Sequence, residues 1–226
     1  MTNGLNGETV KEYGLNAGAS VVGIAASKDF VSAPEGFRPS DALEGCLSVI
    51  VLGAPSPKEA LLKTSVEYTD SRNEMLAKMT IIAKVVAKRI KNQGCKTLAI
   101  SATGGKYVDV KQGERKELFG HISLKHAAEL AGLGVIGNNY LLTTPQYGNL
   151  LWFSAVLTDA DLIPDERAQY TGCDNCNKCV EVCPSKALDN NALFGKKECA
   201  GTCFKMVNGK LQIVCFLCRK VCPNGK

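Results

Sequence analysis

Cys173-Asp174-Asn175-Cys176-Asn177-Lys178-Cys179-Val180-Glu181-Val182-Cys183-Pro184 spaces four cysteines as C-x2-C-x2-C-x3-C-P. Thiolates at this spacing hold cubane 4Fe–4S clusters in pairs, the fourth cysteine ligating the other cluster. Three thiols at two-residue intervals wrap one face of a cubane on a tight loop. The next turn aims the fourth away, and Pro184 stops the local helix there. A shorter copy, C-x2-C-x3-C-P, follows at Cys215, Cys218, Cys222 and Pro223. Crosswise ligation assigns Cys173, Cys176, Cys179 and Cys222 to a first cluster. Cys183, Cys215 and Cys218 go to a second, whose fourth ligand is Cys199 or Cys203.

The rest of the composition agrees with a metal module. Of eleven cysteines in 226 residues, nine lie between Cys173 and Cys222, while Cys46 and Cys95 stand apart and read as small buried apolar residues. The polar stretch from Met1 to Val10 has no basic and apolar leader pattern, and no apolar run approaches the roughly 18 residues of a bilayer span. The expectation is a cytoplasmic protein with no membrane partner, in which thiols stay reduced and dense cysteines mean metal, not disulfides. Zinc is the competing metal, but zinc ribbons do not need the C-x3-C-P tail. Residues 166–226 carry 10 Lys and Arg against 5 Asp and Glu, which is the whole net charge of +5. Two thiolate-ligated clusters would add about −2 each. The surplus therefore reads as compensation for anionic clusters, with little left over for phosphates. That disfavours a nucleic-acid partner, though tRNA stays open.

Upstream, the pattern alternates. Val10–Leu15 reads as a short helix, Ser20–Ala25 and Leu47–Leu52 as buried strands, and Lys96–Ser101 as another. Met75, Met79, Ile82, Ala83, Val86 and Ile90 recur at helical spacing up to Gly94. His121–Ala131 should be helical, with Gly132 as its stop. Tyr140–Thr144 and Leu150–Thr158 then flank Pro145-Gln146-Tyr147-Gly148 as a β-hairpin would. The expected organisation is an α/β cofactor-binding domain over residues 1–165 and a dicluster module over 166–226. The module has few apolar residues, so a metal should organise it.

Gly132-Leu133-Gly134-Val135-Ile136-Gly137 matches the letters of a dinucleotide fingerprint. That fingerprint needs a strand before the glycines and a helix after them. Here the order is reversed, so the glycines read as a tight loop or as backbone that approaches a flat ligand closely.

The stretch His126–Asn139, then Thr144-Pro145-Gln146-Tyr147-Gly148, then Ala155-Val156-Leu157-Thr158-Asp159 ahead of the cysteine run, resembles epoxyqueuosine reductases and reductive dehalogenases. The resemblance runs from about Lys125 to Pro223 and extends more faintly to Arg38-Pro39-Ser40 and Ser48–Gly53. It implies a nitroreductase-like α+β domain joined to a bacterial ferredoxin-like two-cluster module, with cobalamin beside the clusters. It also favours Cys199 over Cys203 as the remaining ligand. Gly134, Gly137, Asn138, Asn139 and Tyr147 become the expected cobalamin-binding positions. Leu118 aligns where the family carries a catalytic aspartate, with Glu117 beside it and Asp109 upstream as the catalytic candidates. The expected activity is that of a corrinoid-dependent reductase on a small-molecule or tetrapyrrole ligand, supplied with electrons by a ferredoxin or flavodoxin. The alternative is a non-catalytic electron-transfer protein.

Overall fold

Strands rich in valine, isoleucine and leucine, and helices with one apolar stripe, give this chain a mixed α/β fold. The computed structural model describes residues 5–103, 106–110, 115–173, 176–189 and 196–225, with backbone alone for 106–110, 115–119 and 196. It divides into two compact units. One comprises Met1–Ala54, Leu76–Leu133 and Trp152–Ala168; the other comprises Pro55–Met75, Gly134–Leu151 and Gln169–Lys226.

In the first unit, helix α1 (Gly7–Asn16) is capped by Asn6, whose side-chain oxygen accepts the Thr9 N–H at 2.9 Å. Strand β1 (Val21–Ala26), the short helix α2 (Pro39–Ala42) and strand β2 (Ser48–Pro55) follow. Helix α3 (Ser65–Lys91), which belongs to this unit from Leu76 onward, carries the Met79–Ile90 stripe seen in the sequence. It leads to β3 (Thr97–Ile100), the antiparallel pair β4 (Lys106–Val110) and β5 (Arg115–Phe119), and helix α4 (Leu124–Leu130). Strand β8 (Leu151–Thr158) completes a four-stranded sheet in the order β1-β2-β8-β3. Ile24, Ile50, Leu52, Met79, Val86, Ile90 and Leu157 are fully buried. Each such side chain stabilises the unit by roughly 1.5–3 kcal/mol relative to exposure.

The hairpin expected over 140–158 does not form. Strand β7 (Leu142–Thr143) pairs with β6 (Val135–Ile136), and only a Thr144–Gly148 bridge closes the turn. Leu151–Thr158 is buried along nearly its whole length, and a strand of that kind belongs inside a sheet, here between β2 and β3.

The second unit is built around short elements: α5 (Lys178–Glu181), α6 (Lys196–Cys203), the antiparallel ribbon β9 (Phe204–Val207) and β10 (Lys210–Ile213), and α7 (Leu217–Lys220). Its cysteine-bearing segment lacks apolar residues and takes them from elsewhere in the chain. Ala60, Leu61, Tyr68 and Leu150 form a core with Ile213, against which Cys203 and Phe216 pack. The Tyr68 and Phe216 rings stack with centroids 3.9 Å apart. The compact units therefore cross the single cut expected at residue 165. Among the described residues, no helix is long and apolar enough to cross a membrane.

Candidate metal centre

The tight turns of the two cysteine runs, followed by α5 and α7, gather the thiols into two sets. In the first, the Cys179 thiol is raised by burial and then by the neighbouring Cys173 and Cys222 sulfurs. Cys222 is likewise raised by burial, with Cys173 and Cys176 beside it. All four line one cavity together with Gly137, Asn138, Asn139 and Asn177. Cys222, far along the chain, thus meets the first run.

In the second set, Cys199 is pushed up to about 11 by burial, with Cys203, Cys183 and Cys215 as its charged neighbours. Cys218 is also pushed up to about 11 by burial, against the opposing pull of the adjacent Arg219. Cys183 differs. Burial raises it, but hydrogen bonds from the Ser185 side chain and from the backbone N–H groups of Leu188, Ala187 and Ser185 outweigh that and lower it. Its sulfur thus sits where a thiolate is already solvated by the chain. Among the described residues, no three Cys, His, Asp or Glu side chains converge as tightly as the ligands of a single ion.

Cys199 and Cys203 lie one turn apart on α6 and part in their surroundings. Cys199 packs against the cluster of Cys179, Cys183, Ala187 and Leu188, as does Cys218. Cys203 turns to the Tyr68 core and donates its S–H to the Cys215 carbonyl at 3.0 Å. Its thiol is pushed up to about 11, by burial first and Cys215 second.

The segment from Gly134 to Leu151 holds both cysteine loops. The Asn138 N–H approaches Cys173 Sγ at 3.4 Å, and its side-chain amide donates to Asn177 Oδ1 at 2.8 Å. Asn139 is buried, donates to the Cys218 carbonyl at 3.4 Å and accepts the Leu141 N–H at 3.1 Å. Asn149 donates to the Arg219 carbonyl at 3.2 Å, and the Arg219 guanidinium returns a bond to the Asn149 carbonyl. Asn224 donates to the Gly172 carbonyl, tying the end of the second run to the start of the first. Asn149, Arg219 and Asn224 were not visible as site residues in the sequence. Arg219 had one sequence cue: a cation directly after a cysteine of the run.

The expected cobalamin positions fall in this same segment. A Cβ on Gly134 would stand 2.2 Å from the Thr143 carbonyl oxygen, so close backbone packing explains that glycine. At Gly137 it would meet Cys173 Cβ and Sγ at 3.5 Å. Tyr147 is half-buried, its N–H bonded to Thr144 Oγ1 at 3.0 Å. Asp109 and Glu117 lie on the paired strands β4 and β5, opposite Lys116 and Val108. Their side chains are outside the described residues.

No family model matches the chain. An epoxyqueuosine reductase of Lactococcus garvieae is 32% identical over 109 residues, 44% of this chain and 31% of that protein. The chain thus spans about a third of the length of this curated relative. The solved epoxyqueuosine reductase from Bacillus subtilis matches with a TM-score of 0.64 at 20% identity, covering 97% of this chain and 65% of that one. A reductive dehalogenase, whose structure is described as suggesting a mechanism for B12-dependent dehalogenation, matches with a TM-score of 0.62 at 21% identity over 80% of this chain and 25% of that one. In sequence the chain is similar to epoxyqueuosine reductases, and it shares its fold with them and with reductive dehalogenases.

Proposed function

We propose that this chain is an iron–sulfur reductase carrying two 4Fe–4S clusters. Cys173, Cys176, Cys179 and Cys222 would hold one; Cys183, Cys199, Cys215 and Cys218 would hold the other. The observation that supports this most is the crosswise gathering, with Cys222 beside the first run and Cys183 beside the second. Such clusters supply reversible one-electron transfer when bound. The residues around them do the rest. Arg219 places a buried cation beside Cys218 and offsets thiolate charge. The Asn138 N–H, directed at Cys173, favours electron density on that sulfur. Burial raises Cys179, Cys222, Cys199 and Cys218, so ligation must displace their protons.

The relatives are reductases, which favours an enzyme over a pure electron carrier. The resemblance also implies a corrinoid. The wall expected for it does not fit: Gly134 is filled by Thr143, and the Asn138 and Asn139 amides are committed to the cysteine loops. A corrinoid therefore rests on the relatives alone.

The test is anaerobic reconstitution followed by iron and sulfide analysis, then a titration with cobalamin followed by visible spectroscopy. About eight iron and eight sulfide per chain are expected, the sum for two cubanes. A base-off cobalamin spectrum would extend the reading to a corrinoid. Stoichiometric zinc without iron uptake would overturn it.

A further inference from the structure

The ribbon β9–β10 leaves apolar side chains in water at the edge of the second thiol set. Its pairing sets Met206 opposite Leu211 and Phe204 opposite Ile213, so these four side chains share one face. At the inner end Ile213 is 6% exposed and belongs to the Tyr68 core. At the outer end Met206 is 65% exposed and Leu211 58%, while Phe204, paired with Ile213 at the root, is 38% exposed. Asn208 and Gly209, both with positive φ, close the tip as a two-residue turn that needs no apolar neighbours. Scattered exposed apolar residues are ordinary. A cross-strand apolar pair continuing a core face into solvent is not, because folding gains nothing from it.

The charge around the ribbon is one-sided. From Cys199 to Lys226 the chain has five Lys and Arg and no Asp or Glu. Arg219 is buried and turned toward Asn149, so it offsets the charge of the thiols. Lys205, Lys210 and Lys220 are exposed, and among the described residues none of the three has an ion pair. Lys205 and Lys210 occupy the other face of the ribbon, so one face is apolar and its reverse is basic. Both roots of the ribbon are cysteines. Phe204 follows Cys203 directly, and the N–H of Val214, next to Cys215, donates to the Cys203 carbonyl at 2.7 Å.

We propose that the β9–β10 ribbon docks a small acidic electron-carrier protein of the ferredoxin or flavodoxin class, and that this is where the chain receives electrons. The proposal rests on the iron–sulfur reading above. Each encounter oxidises the carrier by one electron and reduces this chain by one, with no bond made or broken. An apolar face on a segment whose charges are all basic suits a transient protein partner, steered by charge and released quickly. Nucleic acid would ask for cations in place of Met206 and Leu211. A second copy of the chain would bring like charges together.

The test uses the full chain, reconstituted anaerobically, with its iron content measured first. An acidic plant-type ferredoxin and a flavodoxin are titrated in by calorimetry at low and high salt. Both should bind, and each should weaken by about tenfold or more in Lys205→Glu/Lys210→Glu and in Met206→Ser/Leu211→Ser. Iron content and reduction by dithionite should not change in either variant. A chain without iron overturns both readings. A chain with iron whose ribbon variants bind the carriers like the parent overturns the ribbon proposal alone. So do variants that change only the affinity for a tRNA stem loop, or only self-association.

Discussion

At Gly137 an added Cβ would lie 3.5 Å from both Cβ and Sγ of Cys173, and the branches of a valine would reach further into the place of that sulfur. Gly137→Val should therefore cost the first cluster and leave the second, lowering bound iron from about eight to about four per chain. Iron analysis with electron paramagnetic resonance would check this; a variant that keeps both clusters would show that the glycine does not protect the thiol. Cys199 and Cys203 make a second contrast. Cys199→Ser should remove only the second cluster, while Cys203→Ser should leave both, because its S–H is spent on the Cys215 carbonyl. The opposite pattern of iron loss would exchange their roles. The cysteine runs were legible because their spacing acts as a ruler along a few residues. The different surroundings of Cys199 and Cys203 were not, since both sit on one helix and only tertiary packing separates them. The Asn149–Arg219 exchange joins residues 70 positions apart, with no local pattern to betray it.

Helix α3 shows how elements are legible in part. Its apolar period from Met75 onward announced the segment that packs on the sheet. The first turns, with Tyr68 and Thr69, find their partners only when the cysteine segment folds onto them. Thr69 Oγ1 accepts the Ile213 N–H at 2.9 Å, and Tyr68 stacks on Phe216. Tyr68→Ala should destabilise the protein by about 3 kcal/mol through lost burial and stacking. It should shorten the lifetime of the second cluster more than that of the first. Chemical denaturation and the two cluster-loss rates measure this, and equal rates would contradict a local role. The hairpin over 140–158 was misread for a related reason. Alternation and a turn fix a local pairing, whereas the burial of Leu151–Thr158 on both faces depends on β2 and β3, which lie far away in sequence.

At the scale of the whole molecule, the α/β class and the family resemblance were legible, the first from strand and helix patterns and the second from the glycine loop joined to the cysteine run. The make-up of the compact units was not. A segment with so few apolar residues cannot fold on its own core, so it draws on Leu61, Tyr68 and Leu150, and a division made along the sequence misses this. The likeness to solved reductases covers most of this chain and about two thirds of the Bacillus subtilis enzyme. What the account needs most is the crosswise sharing of thiols between the two runs. Iron analysis of Cys222→Ser beside the parent tests it most directly. About eight iron are expected in the parent and about four in the variant, with the second cluster's paramagnetic signal retained. A variant that keeps all its iron, or one that loses the second cluster and keeps the first, would contradict it.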